Sequence, residues 1–168
     1  VTSIGREAFR GCTSFTEINY NARRADDLDW STNAFYDVGA ESEGVVVKFG
    51  EDVEIIPACL FCTNPSTPKI KIVSVSVGNR VTEIGKYAFC DCVNLTSLKL
   101  GNSVSTIGSE AFGSCKKLSS ITGIEGVKQI GYSAFRYCSS LETFTIGENL
   151  TRIGANAFYK CIGLKEVY

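Results

Sequence analysis

Val81-Thr-Glu-Ile-Gly-Lys-Tyr-Ala-Phe89 is followed 23 residues later by Val104-Ser-Thr-Ile-Gly-Ser-Glu-Ala-Phe112. The same phrase returns at the same interval as Val127-Lys-Gln-Ile-Gly-Tyr-Ser-Ala-Phe135 and Leu150-Thr-Arg-Ile-Gly-Ala-Asn-Ala-Phe158. Self-similarity at one fixed period between about 20 and 50 residues marks a solenoid, in which a unit buries its apolar face only by stacking on its neighbour. Such a rod offers a long repeated surface, suited to holding or binding rather than to chemistry in one enclosed pocket.

Stacked unit on unit, the chain forms columns. Ile4, Ile56, Ile84, Ile107, Ile130 and Ile153 align, each followed by Gly except at Pro57. Next come Ala8, Leu60, Ala88, Ala111, Ala134 and Ala157, then Phe9, Phe61, Phe89, Phe112, Phe135 and Phe158. A small residue beside a large ring makes room for rings to stack. Cys12, Cys92, Cys115, Cys138 and Cys161 stand three residues past the Phe column. An apolar-x-x-apolar-x-apolar run follows, as in Leu95, Leu98 and Leu100, and its terminal alternation predicts a half-buried strand. Gly78-Asn79, Gly101-Asn102 and Gly147-Glu148 then turn the chain. Between Ser109 and Cys115 apolar residues recur at three to four positions, which predicts a short helical or 3₁₀ turn.

The first half follows the rule less strictly. Units are expected at 1–20, 53–80, 81–103, 104–126, 127–149 and 150–168, the last one truncated. Residues 21–52 form an irregular unit that keeps Ala34-Phe35 and the strand Val45-Val-Val-Lys-Phe49 but lacks the Val-x-x-Ile-Gly start. An insert around Thr63-Asn-Pro-Ser-Thr-Pro68 stretches the next. About seven coils at about 4.8 Å each give a stack of roughly 30–35 Å.

Val-x-x-Ile-Gly-x-x-Ala-Phe-x-x-Cys-x-x-Leu-x-x-Leu resembles the BspA-like leucine-rich repeat family of bacterial and protist surface proteins, and the resemblance covers nearly the whole chain. It implies an α/β repeat fold: a leucine-rich-repeat solenoid with a parallel β-sheet on one face and short helical, 3₁₀ or irregular segments on the other. It further implies cell-surface or secreted localisation, and attachment to host extracellular-matrix or cell-surface proteins. Two places depart from the pattern: the irregular unit, and Gly123, where an apolar strand residue is expected and Ile124 stands in by a local shift.

Composition narrows the remaining classes. A single domain fits 168 residues that are 44% hydrophobic without a polar linker. The chain contains no Met, opens at the head of one repeat and stops within a strand, so it is expected to be a piece of a longer protein. No apolar stretch reaches the length of a membrane helix. A net charge of −1 recruits neither nucleic acid nor membrane. The charge is uneven, because residues 21–56 carry nine acidic side chains against Arg23, Arg24 and Lys48. With no histidine, Ser-His-Asp and Cys-His nucleophile systems and His-bound zinc are excluded. No Gly-rich phosphate loop or other cofactor motif is present, so neither enzyme activity nor a cofactor is expected.

Five of the eight cysteines belong to the column and are expected as buried free thiols. Cys59, Cys62 and Cys90 lie off it. A Cys62–Cys90 disulfide, or a thiolate zinc site formed by Cys59, Cys62, Cys90 and Cys92, stands as the alternative. Asp26, Asp27 and Asp29 carry oxygen ligands of the kind calcium uses, but without the Gly and terminal Glu of an EF-hand loop they read as a solvated acidic turn. Asn94-Leu-Thr96 and Asn149-Leu-Thr151 match the glycosylation pattern by chance.

The best functional lead is the set of strand residues that alternation turns outward: Glu17, Asn19, Lys48, Ser74, Ser76, Ser97, Lys99, Ser120, Thr122, Thr143 and Thr145. This face is mostly Ser and Thr, with few of the aromatic and Arg anchors of tight interfaces. It therefore fits either a ligand-binding surface or a passive spacer that displays another domain.

Overall fold

A computed structural model describes residues 1–62 and 70–168; the insert at 63–69 lies outside the described residues. Among the described residues twelve short strands follow one another: β1 (Glu17–Tyr20), β2 (Val45–Phe49), β3 (Ile55–Ile56), β4 (Ile72–Ser76), β5 (Glu83–Ile84), β6 (Ser97–Lys99), β7 (Thr106–Ile107), β8 (Ser120–Thr122), β9 (Gln129–Ile130), β10 (Thr143–Phe144), β11 (Arg152–Ile153) and β12 (Glu166–Val167). The Leu-x-x-Leu-x-Leu run supplies a wide parallel sheet in the order β1-β2-β4-β6-β8, continued by the pair β10-β12. The Val-x-x-Ile segment, expected only as an extended return, forms a second parallel ladder in the order β11-β9-β7-β5-β3. Each ladder sets a residue against its equivalent one repeat away, as Leu98 on Ile121 and Ile107 on Ile130.

Gly123 breaks the wide sheet between β8 and β10. Its φ is +79°, and a Cβ there would lie 2.4 Å from the Leu100 carbonyl oxygen. A 3₁₀ turn, Ile124–Gly126, takes the chain onward and buries Ile124 in the place the strand leaves vacant.

On the third side of each coil, the short helical or 3₁₀ turn expected from spacing is a run of tight turns rather than a continuous helix. The N–H groups of Ala88, Cys90 and Cys92 bond back three residues, to the carbonyls of Gly85, Tyr87 and Phe89. The intervening N–H groups of Tyr87, Phe89 and Asp91 donate to Ser109, Ala111 and Gly113 of the following coil. Tyr87 and Asp91 are left-handed, with φ of 58° and 60°, as are Glu110 and Ser114 one repeat later. A left-handed residue at every fourth position prevents a helix from propagating. It turns alternate N–H groups outward along the rod, where the next coil satisfies them.

The core runs between these three sides. Phe61, Phe89, Phe112 and Phe135 are completely buried and stack at centroid spacings of 5.6, 5.2 and 5.4 Å. The end coils cover their columns incompletely: Phe9 is 37% exposed and Ile153 45%. Column cysteines do more than fill space. Cys115, Cys138 and Cys161 donate their S–H to the carbonyls of Phe89, Phe112 and Phe135 of the preceding coil, at 3.3, 3.3 and 3.1 Å.

The irregular coil keeps its place through bonds of its own. Ala34 and Phe35 are buried, and Phe35 stacks on Phe9 at 4.9 Å and meets Phe61 at 4.7 Å. Where the second ladder lacks a strand, the Asp26 N–H donates to Thr2 O, the Glu54 N–H to Arg23 O and the Ala58 N–H to Asp27 Oδ1. Asp29 accepts the Ser31 N–H and the Ser31 and Thr32 hydroxyls. The acidic turn is thus engaged in holding the coil.

Candidate functional site

The wide sheet sets the outward residues in two rows. Glu17, Val46, Ser74, Ser97 and Ser120 are successive ladder partners, and so are Asn19, Lys48, Ser76, Lys99 and Thr122. Seven of these ten positions carry side chains short enough to leave the backbone ladder broad and low. Thr143 pairs with Glu166 beyond the Gly123 break, and Thr145 lies just past β10. Those two threonines are therefore displaced from the rows that hold the other nine candidates. Between the parts, Ser119, Ser120, Thr143 and Thr145 line a hollow of about 130 Å³ together with Ile121, Ile124 and Phe144.

The chemistry of the face is mild. Lys48 Nζ reaches Glu17 Oε2 at 2.5 Å, and Asn19 donates to Glu17 Oε1 at 2.7 Å. The Lys48 hydrogen bond, then that of Asn19, holds the Glu17 carboxyl below its ordinary value. Ser97 Oγ donates to Ser74 Oγ at 3.0 Å, so two candidate hydroxyls satisfy each other. Lys99, Ser120, Thr122, Thr143 and Thr145 are exposed.

The thiols form a different neighbourhood. All eight cysteines are free, so Cys62 and Cys90 are unbridged. The hydrogen bond between Cys59 and Cys62 lowers Cys59 from its ordinary range and, together with burial, raises Cys62. Burial raises Cys90 and Cys92. Cys92 is fully buried with its S–H toward the Phe61 carbonyl at 3.7 Å, so it does not turn toward Cys59. Among the described residues no group of three His, Cys, Asp or Glu side chains is placed to hold a metal ion. No helix among them is long and apolar enough to cross a membrane.

Sequence reasoning passed over one cluster. Arg136, Tyr137, Tyr159 and Lys160 meet on the turn side of the last two coils. The available signal was the period itself, because 136 and 159, and 137 and 160, are repeat-equivalent positions.

The chain is similar in fold to several solved proteins. A leucine-rich repeat protein from Bacteroides ovatus superposes with a TM-score of 0.72 at 24% identity, over 100% of this chain and 41% of that one. A leucine-rich cell surface protein from Faecalibacterium prausnitzii matches at 0.57 and 31% identity, over 71% of this chain and 30% of that one. The leucine-rich repeat protein of T. pallidum matches at 0.68 and 26%, over 74% and 58%. The chain thus spans less than two thirds of the length of each. No curated protein matches it. The model of the BspA-type leucine-rich repeat region matches residues 1–74 and 68–168, in six copies. With the phenylalanine stack, the cysteine column and the parallel ladders all following the repeat, the chain belongs to the BspA-type leucine-rich repeat family.

Proposed function

We propose that the chain is a non-enzymatic module, displayed at a cell surface or secreted, that binds a host extracellular-matrix or cell-surface protein through its wide sheet. The observation that carries this reading is the pair of outward rows, unbroken over five strands from Glu17 and Asn19 to Ser120 and Thr122. The cell-surface designation of the F. prausnitzii relative supports display. Single contacts to small hydroxyls are weak, so affinity comes from repetition along a longer array.

Binding to a panel of immobilised matrix proteins tests it. The variant Ser97→Tyr/Lys99→Glu/Ser120→Tyr/Thr143→Tyr places bulk and reversed charge across the rows. Binding should fall by about tenfold or more, the scale of losing an interface centre. The Ser97–Ser74 hydroxyl pair favours a second reading, a passive spacer. If a matrix protein binds this variant as tightly as it binds the parent chain, the sheet is scaffolding and the spacer reading stands.

A further inference from the structure

On the turn side of the last two coils, the Arg136 guanidinium lies 4.6 Å from the Tyr137 ring centre and 5.8 Å from that of Tyr159. The Lys160 ammonium lies 5.6 Å from both rings. The rings meet edge to face at 5.9 Å, and Arg136 Nη2 donates to the Tyr137 hydroxyl at 3.3 Å. The Tyr137 N–H donates to the Tyr159 carbonyl at 2.9 Å, which fixes the two halves of the cluster to each other. Beside them the exposed Tyr132 hydroxyl receives the Asn156 amide at 3.5 Å.

The repeat does not require this arrangement. At the equivalent positions the middle coils carry Cys90-Asp91 and Gly113-Ser114, and these coils are the best packed in the molecule. Among the described residues no carboxylate lies within 4 Å of Arg136 or Lys160. Glu110 is an acid whose field reaches Arg136, from beyond that distance. Two cations are therefore held against aromatic faces, partly oriented in advance and without an anionic partner. Tyr and Arg are also the residue types that dominate interface hot spots, and they are nearly absent from the sheet rows.

We propose that Arg136, Tyr137, Tyr159 and Lys160 form a binding site for an acidic peptide segment of a partner protein. The guanidinium fork takes a carboxylate through parallel N–H bonds, and the ammonium takes a second. The phenol hydroxyls and the Asn156 amide serve peptide carbonyls at the rim. The ring faces already carry cations, so they offer edges and hydroxyls rather than open platforms for stacking a sugar ring. This choice separates a carboxylate-rich peptide from a sulfated glycan. The site lies on a different side of the coil from the wide sheet and does not depend on sheet binding.

Fluorescence anisotropy of a short labelled Glu/Asp-rich peptide tests the proposal on the intact chain. The peptide should bind, and more weakly as salt is raised. Arg136→Gln/Lys160→Gln should weaken it by about tenfold or more, the scale of losing oriented charge contacts. Arg136→Lys should also weaken it, since it keeps the charge and loses the fork. Lys86→Gln/Lys128→Gln removes the same charge from two exposed lysines elsewhere on the rod and should leave affinity within about twofold. No binding by the parent chain, equal loss in both double variants, or an unaffected Arg136→Gln/Lys160→Gln protein overturns the proposal. So does a sulfated oligosaccharide that displaces the peptide at lower concentration than unlabelled peptide does.

Discussion

The rings of Phe89 and Phe112 lie 5.2 Å apart and within 2° of parallel. They are the same residue of consecutive coils, so this offset is the rod's own translation made visible in one pair. Both side chains are fully buried, and each ring is packed between neighbouring rings of its column.

Phe112→Ala should therefore cost about 3–5 kcal/mol, the range for deleting a buried aromatic. Because stability in a stacked array is shared between neighbours, the loss should reach both adjoining coils. Urea unfolding followed by far-UV circular dichroism reads the total. A double-mutant cycle of Phe89→Leu and Phe112→Leu should return a coupling of about 0.5–1.5 kcal/mol beyond additivity, as expected for stacked rings. An additive result would reduce the stack to independent burial.

The glycine column predicts an asymmetry between the end and the middle of the rod. A Cβ at Gly131 would lie 2.5 Å from the Ser109 nitrogen of the preceding coil, whereas at Gly5 nothing lies within 4 Å. Gly131→Ala must move backbone apart, with a cost of about 1–3 kcal/mol as for overpacking. Gly5→Ala should change the free energy of unfolding by less than about 0.5 kcal/mol, the usual size of a surface substitution. Equal effects at both positions would mean that the glycine serves the turn and not the close approach of coils.

The columns were legible because every one of them is a core requirement: Ile107, Phe112, Cys115 and Leu118 are all buried as the spacing demands. The turns were not. Ser109-Glu-Ala-Phe has the apolar spacing of a helix, and only the left-handed Glu110 and Ser114, which carry no glycine, distinguish it. Nor did spacing reveal the S–H bonds of the cysteine column, since a small apolar residue and a donor occupy the same hole. The sheet rows were placed by alternation, except where Gly123 moves Thr143 and Thr145 away. The Arg136 cluster arises from contacts between coils, and a column-by-column reading separates its members.

Glu54 predicts an acid limb of stability. Its carboxylate accepts from Arg24 and Arg23, each at 2.7 Å, and these bonds, led by Arg24, hold its pKa below the ordinary value of 4.5. A carboxyl depressed in the folded state binds fewer protons there than in the unfolded chain. Its contribution is complete above 4.5 and is lost as pH falls below that value toward the folded pKa. The midpoint of urea unfolding should drop as pH falls below 4.5, and by less in Glu54→Gln, which carries no titrating group there. A variant with the same acid limb as the parent chain would assign the effect to other carboxylates.

The cysteine column predicts order in thiol chemistry. Burial raises Cys92, Cys115 and Cys138 above the ordinary thiol value of 9.0. These groups stay protonated and enclosed in the folded chain, and an alkylating reagent needs an accessible thiolate. With iodoacetamide near neutral pH, Cys12, the one thiol that is not buried, should be modified first. Cys115 and Cys138 should be modified last, at a rate set by opening of the coils. In denaturant all eight should react together. The same shifts fix the sign at high pH: between 9.0 and the raised folded values the unfolded chain has released protons that the folded chain retains. Stability therefore falls as pH rises above 9.0. Cys115→Ala/Cys138→Ala should flatten that alkaline decline, since neither alanine titrates, while lowering the midpoint at pH 7 through the lost S–H bonds and volume. Mass spectrometry of the alkylated peptides and urea midpoints across pH measure both. Early modification of Cys115 in the native protein would show that the core opens locally, far from the global transition.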